Sequence, residues 1–343
     1  NIQMNISISS LEKKHFPVML DEVIKICDPV KINKTFLDCT FGGGGYSKAL
    51  LKFPKSKVIA LDRDVSAAER AKELERNNPN RFKFYNEKFS NLEKVLSGND
   101  KIDVVIFDLG LSMFQLQDDK RGFSFKSKSK IDMQMGLSEI SAEKVINELD
   151  EKKLKSILKL LGEEAEAGLI AKNIIKARNL NQITTVPELV KIIEKSKKKN
   201  YNKKINVCTK TFQALRIFVN KEISELINAL IKAAKYLKKD GKIIVISFHS
   251  LEDKIIKFFF KHYASNKSNP SRYLPNANNS KSHSLFDAYN NDFLTPTNEE
   301  IKINPPSRSA KLRYATRSAE PFFYPESIEK KFEKYLKIEE FYA

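Results

Sequence analysis

Between residues 35 and 110 the apolar positions fall into short runs separated by stretches with helical spacing. Residues 35–39 (TFLDC), 57–62 (KVIALD), 81–85 and 103–109 (DVVIFDL) read as strands. The last is nearly continuous in Val, Ile and Phe, as a strand buried on both faces should be. Residues 46–53 and 65–76, in between, have helical periodicity. Strand and helix in alternation predict an α/β fold with a doubly wound, mostly parallel sheet. After Gly110 the alternation stops. A loop rich in Asp, Gly, Ser and Lys (115–130) leads into helical segments at 141–147, 151–161, 163–177 and 186–195. Thr185, Pro187 and Glu188 mark the start of the last of these as a capping box. An inserted helical domain, 113–205, is therefore expected between two halves of a sheet domain, 1–112 and 206–343. It ends in a basic stretch at 195–204. The sheet pattern then resumes: one or two long helices (208–237), a fifth buried strand (242–248, KIIVISF), a helix (251–263), a long mobile loop (264–298), and an edge strand at 311–317 (KLRYATR).

Composition narrows the class. The chain has 343 residues, with 61 Lys and Arg against 43 Asp and Glu, a net charge of +18. Such a field concentrates polyanions around a protein and points to nucleic acid. Lys far outnumbers Arg, however, and the abundance of Asn and Ile fits an AT-rich coding bias, so a merely solvated Lys-rich surface also accounts for the charge. Cys27, Cys39 and Cys208 are odd in number and far apart, which argues against a disulfide framework or a zinc cage. No metal is expected. No apolar run approaches the roughly 18 residues that span a bilayer, and residues 1–10 lack the apolar core of a secretory signal. The expectation is a cytoplasmic protein.

The strongest chemical signal follows the first strand: Asp38, then Gly42-Gly43-Gly44-Gly45, then a helix, with Asp62 closing the second strand. Glycines let backbone approach a ligand, and an acid at that strand end accepts hydrogen bonds from a ribose diol. The run lacks both the dinucleotide register and a P-loop ending, which favours S-adenosylmethionine over NAD. Asp108, at the carboxyl edge of the fourth strand with Tyr46 and Phe89 as nearby aromatics, suits a cationic sulfonium better than a phosphate. Other clusters carry less. Ser247, His249, Ser250 and Asp253 suggest a hydrolase, yet no nucleophile elbow is present. Gln213, Arg216 and Asn220 form a polar helical stripe facing either the site or solvent. Lys311, Arg313 and Arg317 share one face of the last strand after Arg308, a basic surface suited to phosphates.

The ordered motifs His15-Phe16-Pro17-Val18, 40–47 (TFGGGGYS), Asp62-Arg63-Asp64, Asp108-Leu109-Gly110, 121–125 (RGFSF), Asp132-Met133, Gly162-Glu163-Glu164, 211–220 (TFQALRIFVN), 246–253 (ISFHSLED) and 307–313 (SRSAKLR) resemble the RsmH/MraW family. Its members are S-adenosylmethionine-dependent methyltransferases of bacterial 16S ribosomal RNA. The resemblance runs from about His15 to Arg317. It implies a class I methyltransferase (Rossmann-like) sheet with a helical insertion. The implied reaction is methylation of the N(4) amine of one cytidine in the decoding region, within the small ribosomal subunit, with S-adenosylhomocysteine as product. The cofactor contacts it implies are Gly44, Gly45, Tyr46, Asp62, Phe89, Asp108 and Gln115: Asp62 on the ribose, Phe89 beside the adenine, and Asp108 and Gln115 near the methionine end or the target amine. Asp108 is the first candidate to accept the amine proton's hydrogen bond and Asp132 the second. Arg121, Arg216, Arg308, Lys311 and Arg313 are the candidate RNA contacts.

This chain departs from the family pattern at Met113, Gln117 and Gln134, which removes a hydroxyl, a carboxylate and a basic group from the loop after the fourth strand. Asn304-Pro305-Pro306 imitates an amino-methyltransferase motif but lies beyond the fifth strand. Competing readings are a methyltransferase of transfer RNA or DNA, an RNA chaperone that binds the cofactor without turnover, and a dehydrogenase.

Overall fold

The computed structural model describes residues 17–30, 32–96, 101–197, 206–266 and 283–342. They form two compact units. One holds the described residues of Asn1–Asn86, Leu92–Gly110 and Lys232–Phe323; the other holds those of Glu87–Asn91, Leu111–Ile231 and Tyr324–Ala343.

Along the chain, α1 (Leu20–Cys27), β1 (Lys34–Asp38), α2 (Gly45–Leu51), β2 (Ser56–Leu61), α3 (Ser66–Asn77), β3 (Phe82–Tyr85) and β4 (Ile102–Asp108) build the first part of the sheet unit. The helices α4 (Met113–Gln117), α5 (Ala142–Glu148), α6 (Glu151–Leu161), α7 (Ala167–Arg178), α8 (Val186–Ser196) and α9 (Thr209–Asn220) follow in the helical unit. The helix α10 (Glu222–Tyr236) precedes β5 (Leu237–Ser247), α11 (Ser250–His262), α12 (Asn298–Ile303), β6 (Lys311–Thr316) and α13 (Glu326–Glu339).

The sheet order is β3-β2-β1-β4-β5-β6, parallel throughout except for β6, which runs antiparallel to β5. Strand order reverses between β1 and β4, and in such sheets the crevice beyond the carboxyl ends at the reversal is where ligands bind. Alternate residues supply opposite faces. Phe36, Val58, Ala60, Val104, Ile106, Ile244, Ile246 and Leu312 pack in one core with Val23 and Ile26 of α1, Leu50 of α2, and Ala67 and Ala71 of α3. Leu37, Val105, Phe107, Ile243 and Val245, on the opposite parity, are also fully buried. Burial on both faces explains why β4 and β5 read as unbroken apolar runs.

The expected strands all form, with ends displaced by a residue or so and β5 extended back to Leu237. The segment 208–237 is two helices, because Lys221 takes a left-handed conformation (φ 50°) that breaks the first. Four helices were not legible in the pattern: α1, α4, α12 and α13. In the segment expected to be a mobile loop, residues 267–282 lie outside the described residues, as do residues 1–16 and the greater part of the 195–204 basic stretch. Its described end is anchored. Phe286 is fully buried, bridges to Ala264 and Arg317, and meets Phe259 and Phe260 edge-on.

The helical unit reaches beyond the 113–205 of the sequence pattern. Helix α6 packs on both α7 and α9, and α13 returns from the far end of the chain to pack on α6. The Glu339 carboxylate accepts the Ile223 and Ser224 backbone N–H groups at 2.8 and 2.9 Å, capping the first turn of α10. Burial pushes this carboxyl up to about 7. Glu339→Ala is expected to cost about 2–3 kcal/mol, since two buried amides lose a charged acceptor. Burial also predicts a pH slope: the folded state holds the proton more tightly than the unfolded chain, so stability falls as pH rises from about 4 to 7. Chemical denaturation across that range checks both effects, and Glu339→Gln should remove this contribution to the slope.

Candidate active site

Three strands of the sheet unit end in carboxylates. Asp38 closes β1, Asp62 follows β2 and Asp108 closes β4. Asp38 is fully buried; its Oδ2 accepts the Ser47 hydroxyl at 2.6 Å and its Oδ1 accepts the Thr40 N–H at 3.2 Å. Burial lifts it to about 6. It therefore fastens the glycine turn to the start of α2. The Asp62 oxygens accept N–H groups from Gly42 at 2.7 Å and Asp64 at 2.8 Å, which fixes the carboxylate while leaving lone pairs for a ligand diol. Burial is the largest influence on Asp62 as well, and it raises the pKa.

Asp108 is the most unusual of the three. Its backbone N–H donates to Thr40 Oγ1 at 2.8 Å, which fixes the strand end, and its Oδ1 is buried with no hydrogen-bond partner. Burial, followed by the neighbouring Asp38 charge, raises the carboxyl to about 8. The Tyr46 hydroxyl lies 2.6 Å from the Val18 carbonyl oxygen and 3.3 Å from Asp108 Oδ2. The hydroxyl donates chiefly to the nearer Val18 oxygen and more weakly to Asp108 Oδ2. Burial holds Tyr46 well above its ordinary pKa, in the phenol form. Among the described residues, none of these three carboxylates is in an ion pair. Such a cluster is poorly matched to a phosphate and well matched to a cation.

The glycine turn has packing reasons of its own. Gly44 is left-handed (φ 77°), and a Cβ there would lie 2.7 Å from the Phe41 ring; a Cβ on Gly45 would lie 2.7 Å from Pro17. Both positions are closed to larger residues before any ligand is considered.

Phe89, Gln115, Arg121, Asp132 and Arg216 belong to the helical unit. Phe89 opens a 3₁₀ turn (Phe89–Lys94) and is half-buried. Gln115 Oε1 accepts the Ser112 N–H at 3.0 Å, and Gln115 N–H donates to Ser112 Oγ at 3.2 Å, a capping box that starts α4. Arg121 Nη2 donates to the Gln134 carbonyl at 2.7 Å, and the Arg121 carbonyl accepts the Met133 N–H at 2.8 Å. Asp132 sits half-buried between the fully buried Ile131 and Met133, and burial raises its pKa. Arg216 is engaged bidentately by Glu222 at 2.8 and 2.9 Å. Asn220 was singled out only as part of a polar stripe. Its Nδ2 donates to the Met133 carbonyl and its Oδ1 accepts from Met135 N–H and Ser138 Oγ, each at 2.8 Å. It thereby clamps the loop that carries Asp132.

The basic face expected on the last strand needs correction. Arg313 is 3% exposed, paired with Asp253 at 2.7 Å, and cannot meet a phosphate from solvent. Arg317 is buried too, its guanidinium spent on the carbonyls of Ala234, Leu285, Ser318 and Glu320. Desolvating a guanidinium requires such partners, and the strand's edge is covered by residues 285–294. Arg308 is exposed and Lys311 partly so. No hydrolase triad forms. His249 caps α11 with Glu252, while Asp253 serves Arg313 and Lys311. Asn304 precedes a 3₁₀ turn (Pro305–Ser309) leading into β6. Cys27, Cys39 and Cys208 are free and buried. Among the described residues, no helix is long and apolar enough to cross a membrane.

A reversed-order sheet with a final antiparallel strand, a glycine turn after β1 and acids at the ends of β1, β2 and β4 defines a class I, nucleoside-cofactor methyltransferase fold. Residues 12–318 match the model of the MraW methylase family. The chain is 42% identical over 306 residues to the ribosomal RNA small subunit methyltransferase H of Orientia tsutsugamushi strain Ikeda, covering 88% of this chain and 98% of that protein. It is 41% identical over 302 residues to the protein of the same name from Ehrlichia canis strain Jake, covering 87% and 98%. The chain belongs to the MraW methylase family and is an S-adenosylmethionine-dependent methyltransferase. That excludes the dehydrogenase reading.

The residues of the sheet unit fit the cofactor. The partnerless Asp108 Oδ1 suits its positive charge, and Asp62, fixed by two N–H groups, suits its ribose. Asp62→Ala is expected to weaken S-adenosylhomocysteine binding about 10- to 100-fold, the loss of hydrogen bonds to a charged acceptor. Titration calorimetry measures it directly.

Proposed function

We propose that this protein methylates the N(4) amine of one cytidine in the decoding region of 16S ribosomal RNA, acting in the cytoplasm on the small ribosomal subunit. The observation that carries the reading is Asp108. A buried acceptor oxygen without a partner stands at the carboxyl end of β4, in a chain whose relatives are named as small-subunit ribosomal RNA methyltransferases.

Bound at this edge of the sheet, S-adenosylmethionine supplies a methyl group on a positively charged sulfur. Cytosine's amine is a weak nucleophile because its lone pair is delocalised into the ring. Asp108 Oδ1 accepts a hydrogen bond from the amine and turns the lone pair toward the methyl carbon, a task of positioning. Transfer of the methyl group would make the N–C bond as the S–C bond breaks, leaving neutral S-adenosylhomocysteine, and Asp108 Oδ1 would take the proton that the amine sheds. Asp62 holds the ribose, and the Tyr46 phenol keeps Asp108 Oδ2 oriented. Asp132 is the second candidate acceptor. The experiment is to incubate the protein and S-adenosylmethionine with small subunits lacking the modification and to map methylated nucleosides by mass spectrometry. A single new N(4)-methylcytidine in the decoding region is the expected product. A methylated nucleoside elsewhere, or on transfer RNA or DNA only, would replace this reading with the corresponding one.

A further inference from the structure

Phe293 leaves 46% of its surface exposed at the rim of the sheet unit. Its ring, next in sequence to the also exposed Leu294, is held over cations, with Lys311 Nζ 5.1 Å and the Arg313 guanidinium 5.0 Å from its centre. Lys311 and Arg313 share parity on β6, so both approach the ring from the strand beneath it. The backbone around the ring is fixed on both sides. Arg313 Nη1 donates to the carbonyls of Asn291 at 3.0 Å and Asp292 at 3.3 Å, and to the Tyr289 hydroxyl at 3.1 Å. Leu294 and Leu312 exchange two backbone hydrogen bonds at 2.9 Å.

Register locates this ring relative to the chemistry. Asp108 pairs with Ile246, Ile246 with Leu312, and Leu312 with Leu294. Three strand spacings of about 4.8 Å place Leu294 roughly 14 Å from Asp108 along the carboxyl edge. Asp253 is already neutralised by Arg313 and Lys311, and the Lys311 side chain is still 41% exposed. Arg308, three residues upstream, is exposed. An aromatic ring beside a partly exposed lysine, in a cluster where two cations share one carboxylate, is an arrangement that binds unpaired nucleotides, base on ring and phosphate on lysine. A protein partner would call for a large contiguous apolar patch rather than Phe293 and Leu294 alone, backed by charge.

We propose that Phe293 and Lys311 form a nucleotide platform that stacks one unpaired RNA base flanking the target and holds its phosphate. It rests on the RNA reading above and adds a second contact point, about 14 Å from Asp108, to the reacting centre. Because the backbone on either side of the ring is hydrogen-bonded, stacking on it costs little ordering. Arg313 acts from below, as the residue that holds the ring's loop in place.

The test uses a fluorescently labelled, single-stranded RNA decamer, with dissociation constants from anisotropy over a range of KCl concentrations. Phe293→Ala is expected to weaken binding about tenfold, within the range for loss of one base–aromatic stack, without changing the salt slope. Phe293→Tyr should bind within about twofold of the parent, since any aromatic face stacks. Lys311→Gln should lower the slope of log Kd against log salt by about 0.7, the value for one phosphate contact on a single strand. S-adenosylhomocysteine affinity serves as the check on folding and should be unchanged in all three. Wild-type affinity in the Phe293→Ala variant, equal loss in Phe293→Tyr, or no decamer binding by the parent protein overturns the platform. Methylation of small subunits by the parent is assayed in parallel. Its absence, with the Phe293 effects intact, would remove the substrate reading and leave the platform; its presence with an unaffected Phe293→Ala would do the reverse.

Discussion

Asp108→Ala is expected to lower the rate of methyl transfer to small subunits about 10²- to 10³-fold, the usual cost of removing one preorganised polar group at a reacting centre. Within the sheet unit the other two acids have tasks of their own, Asp38 on Ser47 and Thr40 and Asp62 at the glycine turn and the ribose. Single-turnover kinetics with saturating cofactor isolate the effect from binding. A variant that methylates at the parent rate would return the acceptor role to Asp132. The raised carboxyl carries a second consequence. With a pKa near 8 the free protein holds Asp108 largely neutral at pH 7. A cation placed beside it favours the ionised form, so S-adenosylmethionine binding should release up to about one proton. Calorimetry in buffers of different ionisation heat counts that proton. S-adenosylhomocysteine, whose sulfur is uncharged, should release fewer, and Asp108→Ala should abolish the difference.

Glu164→Ala is expected to destabilise the helical unit by about 3–5 kcal/mol, because it strands a buried ammonium. The side chains of Lys197 and Glu164 are 1% and 0% exposed and form an ion pair; Glu164 also accepts the Thr211 hydroxyl at 3.2 Å. Glu166, 3.3 Å from Lys197 and partly exposed, offers only partial replacement. The pair joins the end of α8 to the start of α9 through the turn after α6. Replacing both charges, as in Glu164→Leu with Lys197→Met, removes the desolvation cost along with the attraction. That double variant should recover most of the lost stability. Urea unfolding followed by far-UV circular dichroism reads both changes. A single variant as stable as the parent would show that Glu166 alone satisfies Lys197.

Much of the sheet was legible because its strands are buried on both faces, and local patterning then has one solution. The helices missed were those too short to show a period or held by remote partners. Helix α13 has a mostly charged surface, and it is held by α6 and by Glu339 reaching Ile223 and Ser224. The short α4 depends on the box between Ser112 and Gln115. The domain boundary shifted for the same reason: α9 looked like a return to the sheet, yet its apolar side completes the core around α6.

For the site, the amino-acid sequence alone determined the acids at the strand ends, the glycine turn and the order of motifs that places the chain in its family, since these depend on residue type and spacing. Tertiary structure decided which charges are free. Arg313 and Arg317 look like solvent-facing cations on an edge strand, but the 285–294 segment covers that edge, and buried guanidiniums must then find internal partners. It also decided the state of Asp108. An aspartate is an ordinary acid in sequence; only burial beside Asp38, with one oxygen left without a donor, makes it an acceptor that waits for charge.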